Sequence, residues 1–90
     1  MTYRIRWTST AQRSVNRLPG KQVDVVLAFI YADLVENPHR RGHALRFELE
    51  GLHTARRGDL RIIYRIDDVE GIVQIELVAA RSHVYRRRLP

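Results

Sequence analysis

Residues 52–66 constrain the fold most tightly. Two runs rich in β-formers, 52–57 and 60–66, meet at Gly58-Asp59, the signature of a hairpin. Along the second run Leu60, Ile62, Tyr64 and Ile66 alternate with Arg61, Ile63 and Arg65. Period-two alternation puts the first set on a buried face and the arginines on the opposite one. The phase of the first run depends on the turn. A two-residue Gly58-Asp59 turn pairs Arg57 with Leu60 and sends Arg57 and His53 toward the core. A three-residue Arg57-Gly58-Asp59 loop shifts the pairing by one, so that Leu52 points inward and His53, Ala55 and Arg57 flank Arg61 outside. Burying an unpaired arginine is the costlier option, so the second register is the expectation.

The flanking sequence supplies the rest of the sheet and its cover. Residues 3–8 alternate, with Tyr3, Ile5 and Trp7 on one side and Arg4 and Arg6 on the other, predicting a half-buried strand. Thr8, Ser9 and Thr10 are N-cap candidates for a helix that ends near Leu18, before Pro19-Gly20, and buries Ala11, Val15 and Leu18. A second helix runs from Lys21 to about Glu36, ended by Asn37-Pro38. Its stripe of Val23, Leu27, Ile30 and Leu34 is widened by Val25, Val26, Phe29 and Tyr31 until most of the circumference is apolar. Such a helix is deeply packed or covered by a partner. Residues 39–43 read as a basic loop and 67–71 as a turn. Residues 72–80 read as a last strand in which Val73, Ile75, Leu77 and Ala79 alternate with Gln74 and Glu76. The order β-α-α-β-β-β predicts an α+β fold: a small antiparallel sheet with a helical hairpin on one face. The other face is left for solvent or ligand, and Tyr64 and Trp7 are expected in the core.

With 90 residues the chain has room for one domain, 1–90. It has no cysteine, which excludes disulfides and thiolate-bound zinc. No segment is apolar enough to span a bilayer, and the opening residues do not read as a signal peptide, so a soluble, cytoplasmic chain without a membrane partner is expected. The formal charge is +6, and Lys21 is the lone lysine among 16 basic residues. Arg81, Arg86, Arg87 and Arg88 make an acid-free tail. Such a field favours a polyanion such as nucleic acid or the ribosome.

An exposed strand arginine commonly pairs with a carboxylate, and Glu48, Glu50 and Asp59 are at hand for Arg61. Arg56, Arg57 and Arg65 outnumber them, leaving cationic surface for a phosphate. RNA carries its own nucleophile, the 2′-hydroxyl. A ribonuclease must align that oxygen, take its proton, stabilise the phosphorane and protonate the leaving 5′-oxygen. Arginines supply the electrostatic part. His53, as an imidazole ordinarily titrating near ~6.5, is able to act as acid or base. Clustered carboxylates at metal spacing are absent from the sequence, and four scattered histidines do not make a metal site, so neither metal nor cofactor is expected. His39 and His83 read as loop and tail residues.

Three sequence patterns then carry a family resemblance over nearly the whole chain. They are the 45–66 stretch with its Arg61-Ile62-Ile63-Tyr64, the Ala11/Val15/Leu18 stripe after a first strand, and the ending Arg81-Ser82-His83-Val84-Tyr85-Arg86. Together they resemble the RelE/ParE superfamily of bacterial toxins, whose RelE branch cuts messenger RNA in the ribosomal A site. The resemblance implies a type II toxin that acts as a metal-independent endoribonuclease, with a cognate antitoxin protein, the ribosome and mRNA as partners. It puts Arg61 in the phosphate-stabilising role. Arg81 would clamp phosphate or assist the leaving group, and Tyr85 would orient or deprotonate the 2′-hydroxyl or stack on a base. His53 joins these as catalytic; Arg56, Arg57, Arg65, His43 and Arg86 are the expected RNA contacts. His43 lies where YoeB-like relatives place a functional glutamate. Where studied members carry lysines on the second strand, this chain has His53 and Arg57. Where many have histidine before the C-terminal arginine, it has Ala80. A ParE-like gyrase inhibitor shares the scaffold and is the alternative, as is a catalytically weakened relative that acts only with its antitoxin in repression.

Overall fold

The computed structural model describes residues 2–80. Strand β1 (Arg4–Trp7) leads into helix α1 (Ser9–Asn16) and then α2 (Gly20–Phe29). A short helix α3 (Pro38–Arg41) and a two-residue strand β2 (His43–Ala44) follow, and then β3 (His53–Arg57), β4 (Leu60–Asp67) and β5 (Ile72–Ala80). The strands form one sheet in the order β1-β5-β4-β3-β2. The β2–β3, β3–β4 and β4–β5 pairs are antiparallel, whereas β1 runs parallel to β5. The α+β fold with two helices on one face of the sheet is as expected, but the sheet is mixed where an antiparallel one was expected, because the α1–α2 excursion returns the chain so that β1 lies parallel to β5. Residues expected as a basic loop form α3 and the edge strand β2.

Thr8 begins α1 and also locks it to the sheet. Its Oγ1 accepts from the Ala11 amide at 3.0 Å and donates toward the Ile75 carbonyl at 3.2 Å. Ser14, one turn on, donates to the Ala11 carbonyl at 2.7 Å and accepts from the Val78 amide at 3.0 Å. A buried hydroxyl satisfied in both senses costs little and fixes the helix against β5. Helix α2 does not run as one regular helix to Glu36. Residues Ile30–Leu34 form a wider π turn, marked by the Val35 amide bonding the Ile30 carbonyl at 3.1 Å. The inserted residue rotates the stripe, so Val26 and Phe29 are buried with Ile30 and Leu34, while Val23 and Leu27 are only half-buried. Val25 and Tyr31 remain exposed on the outer side.

Under the helices, Ala55, Leu60, Ile62, Tyr64, Val73, Ile75 and Val78 complete the core. Each fully buried aliphatic side chain, such as Ile62 or Ile75, contributes about 1.5–3 kcal/mol. Trp7 packs against this core, and Tyr64 lies fully within it, as expected. The last strand departs from simple alternation. Ile63 pairs with Leu77 but Tyr64 pairs with Ile75, so a β-bulge at Glu76 reverses the faces. Val78 therefore continues the buried row of Val73 and Ile75, and Leu77 is displaced to a half-buried position on the other face.

The hairpin corrects the expected register. Arg57 pairs with Leu60, Arg56 with Arg61, Ala55 with Ile62, Thr54 with Ile63 and His53 with Tyr64. The turn is the two-residue one, with Gly58 at φ 61° as its first residue, as a II′-type turn needs. No arginine is buried by this register, because Arg57 sits at the very end of the sheet, where its side chain is exposed whichever face it starts from. His53 and Arg57 thus start on the helix-covered side, and Thr54 and Arg56 share the open face with Arg61.

Candidate active site on the open face

The register gathers a different set of residues about Arg61. Arg56 is its direct cross-strand partner. On the sheet edge His43 pairs with Thr54, one step further along the same face. Arg41, from the end of α3, completes a cleft lined by His43, Thr54, Arg56 and Arg61. Like charges facing one another on adjacent strands oppose folding, and three guanidinium groups around one cleft suit a bound anion. Thr54 adds a second unfavourable feature. It is only 2% exposed, and its Oγ1 has no hydrogen-bond partner among the described residues. Neither Arg41 nor Thr54 was expected to be in the site; a basic loop carries no sign that its last arginine will fold back onto a strand.

The edge that brings Arg41 and His43 here depends on Tyr64. Its hydroxyl donates to the Pro38 carbonyl at 2.6 Å and so fixes the start of α3. Burial pushes that hydroxyl's pKa up to about 12, so it stays a donor. Gly42 passes so close that an added Cβ would strike the Thr54 carbonyl and the Tyr64 hydroxyl. Only glycine allows α3 to join β2 at this point.

His53 is separated from this cleft by the sheet. Its ring stacks on Tyr64, with centroids 5.6 Å apart, and meets His39 edge-on at 5.8 Å. Burial, followed by the neighbouring His39, lowers its pKa. His39 itself contacts Asp68 at 3.0 Å, and Asp68 also accepts from the Tyr3 hydroxyl at 2.5 Å. The two hydrogen bonds, Tyr3's first, hold the Asp68 carboxyl below its ordinary pKa. His39 and Asp68, read from the sequence as loop and turn residues, therefore tie α3 to the β4–β5 turn. Arg57 is exposed at the hairpin tip, on the side opposite Arg61. Arg65 shares Arg61's face further down β4 and pairs with Glu76 at 3.3 Å. Arg81, Tyr85 and Arg86 lie outside the described residues. Among the described residues no three His, Cys, Asp or Glu side chains come together as a metal site, and no helix is long and apolar enough to cross a membrane.

The chain is thus a small sheet with helices on one side and an arginine-lined cleft on the other. Residues 5–85 match the family described as ParE toxin of type II toxin-antitoxin system, parDE. The chain is 48% identical over 84 residues to Toxin RelE of Mycobacterium tuberculosis, covering 93% of this chain and 87% of the relative. It is 44% identical over 87 residues to Toxin RelG of the same organism, covering 97% of this chain and 100% of the relative. Among solved structures, the RelBE2 toxin–antitoxin complex of M. tuberculosis matches with a TM-score of 0.88 at 42% identity, over 90% of this chain and 100% of that one. The archaeal RelE–RelB complex of Pyrococcus horikoshii matches with a TM-score of 0.70 at 25% identity, over 90% and 97%. The chain belongs to this family of type II toxins and is RelE-like.

Proposed function

We propose that this toxin is an endoribonuclease that cleaves mRNA in the ribosomal A site, and that a cognate antitoxin holds it inactive by covering the arginine-lined face. The observation that carries the reading is the juxtaposition of Arg56 and Arg61 with His43 and Arg41 around one cleft on the helix-free side of the sheet. Phosphodiester cleavage by the neighbouring 2′-oxygen builds negative charge on the two non-bridging oxygens. Fixed guanidinium groups stabilise that charge more strongly than water does, without reorganising during the reaction. In this reading Arg61 and Arg56 clamp the phosphate and His43 serves the proton transfers, taking over the part the sequence suggested for His53. Arg81 and Tyr85 keep the roles the resemblance assigns them. Strand β5 ends at Ala80 opposite Leu60, one residue from Arg61. Arg65 and Arg86 are left for RNA contacts beyond the scissile step, and guanidinium groups do the work that metal ions do in other nucleases.

Such a chain acts in the cytoplasm, where the ribosome is. The antitoxin has two surfaces to grip: the cationic face, suited to an acidic segment, and the exposed Val25 and Tyr31 on the outside of α2. The test is to programme ribosomes with a defined mRNA, add the purified protein, and map new 5′ ends with Arg61→Ala alongside. Cleavage at A-site codons, abolished in that variant, is the expected result. Intact mRNA overturns the reading, and double-strand breaks in a parallel gyrase assay would make the protein a gyrase poison instead.

A further inference from the structure

Phe47 is the most anomalous residue among those described. It holds a backbone φ of 60°, a left-handed conformation that an aromatic L-residue adopts at a cost, and it is the one non-glycine residue described that does so. Its side chain is also 87% exposed. The protein thus bears backbone strain at a position where the side chain adds nothing to the core. An exposed apolar side chain alone needs no explanation; Val69, in the β4–β5 turn, is exposed too. Exposure and strain together do. The conformation is well supported: the Leu49 amide bonds the Arg46 carbonyl at 3.1 Å, and the Glu50 amide bonds the Phe47 carbonyl at 3.0 Å. The tight turn Phe47–Leu49 therefore presents the ring outward on a fixed backbone.

The surroundings indicate which partner this ring serves. The loop ends at Gly51, where an added Cβ would stand 3.1 Å from the Arg65 guanidinium, and Arg65 lies on the same face as Arg61. Arg61 and Arg65 are four strand residues apart, a span of about 13 Å. In the chain the ring follows the exposed Arg46 and precedes the exposed Glu48 and Glu50. An aromatic face beside a cationic track is the platform on which single-stranded nucleic acid lays a base. Carboxylates beside it disfavour an acidic protein segment, yet can accept from the exocyclic amino group of a base.

We infer that Phe47 is a base-stacking residue, which receives an unpaired nucleobase a short way along the strand from the phosphate held at Arg61. The inference rests on the ribonuclease reading and specifies the substrate contact it lacks. The ring makes no contact with reacting atoms, so its effect falls on binding of the RNA and its alignment.

The test compares wild type, Phe47→Gly and Phe47→Trp on programmed ribosomes. One mRNA is cleavable; a second carries a 2′-O-methyl group at the A-site codon, so that binding is read without cleavage. Phe47→Gly relieves the strain and is expected to raise Tm by a few degrees while weakening binding to the blocked complex about tenfold. Phe47→Trp is expected to bind as wild type does, since it keeps a stacking face. Equal binding by wild type and Phe47→Gly overturns the inference, as does a loss in Phe47→Gly seen only with a purified antitoxin, which would make the ring a protein contact. Wild type that binds the blocked complex but leaves the cleavable mRNA intact overturns the nuclease reading; the binding comparison still decides on Phe47.

Discussion

Arg56 and Arg61 stand directly opposite one another on β3 and β4, two guanidinium groups on facing positions of the helix-free side of the sheet. A hairpin under selection for stability alone would place a carboxylate or a β-branched residue at one of them, because facing like charges are unfavourable. The arrangement becomes favourable when both grip one phosphate. Arg61→Ala is expected to slow single-turnover cleavage by about 10²–10³-fold, the range for loss of one preorganised donor to a developing charge. Arg56→Thr should slow it less, by about tenfold, while leaving stability within about 0.5 kcal/mol of wild type, as for an exposed surface position. Rapid-quench cleavage and chemical denaturation of the same preparations check both. A destabilised Arg56→Thr would show that Arg56 is held for the fold.

Thr54 makes the same point in the interior. Its Oγ1 is buried in the wall of the cleft with no partner among the described residues. A buried unsatisfied hydroxyl costs about 1–3 kcal/mol. Thr54→Val keeps the shape and the β-branch, so it is expected to raise the unfolding free energy by about 1 kcal/mol, read from the denaturation midpoint at unchanged m-value. Loss of stability would instead mean that the hydroxyl is satisfied in solution, for example by an ordered water.

Gly42 and Tyr64 together build the edge of the site. Gly42→Ala drives a methyl group into the Thr54 carbonyl and the Tyr64 hydroxyl; an overpacked core position of this kind costs about 1–3 kcal/mol. Tyr64→Phe removes the bond to the Pro38 carbonyl, which is expected to cost about 1–2 kcal/mol. Because both changes loosen the junction that carries Arg41 and His43, cleavage should fall further than the loss of folded protein explains. Measuring rate per folded molecule, with circular dichroism to count the folded fraction, separates the two effects.

The sequence made the sheet, its helical cover and Arg61's face legible because those depend on alternation over five or more residues. Leu60, Ile62 and Tyr64 announce their side wherever the strand sits. What could not be read depends on single residues. The phase of β3 turned on whether Gly58 opens a two-residue or a three-residue turn, and the deciding fact, that Arg57 lies at the sheet's end, is a property of the assembled fold. The bulge at Glu76 reverses the faces of β5 through one extra residue, a change that leaves the composition of the strand untouched. Arg41 and Thr54 reach the cleft only through contacts between segments distant in sequence, and the misplaced phase of β3 carried His53 into the site in their stead.

His53 takes up a proton less readily in the folded protein than in the unfolded chain, because burial and the nearby His39 push its pKa below the ordinary 6.5. The unfolded chain binds that proton more readily, so the contribution is one of stability rising with pH. It is fully present above about pH 6.5 and is lost as the pH falls through the lowered pKa of the folded state. Asp68 acts in the same sense but in a lower window, below 3.8, since its carboxyl is held down by Tyr3 and His39. Tm measured from pH 8 to pH 4.5 should therefore be flat above neutrality and decline below about 6.5. His53→Phe, which retains a ring to stack on Tyr64 and cannot take a proton, should remove most of that decline. Because His53 lies across the sheet from Arg61, the same variant is expected to cleave mRNA at near the wild-type rate at pH 7.5. A large loss of cleavage with Tm unchanged would return His53 to the chemistry and overturn the assignment of His43 in its place.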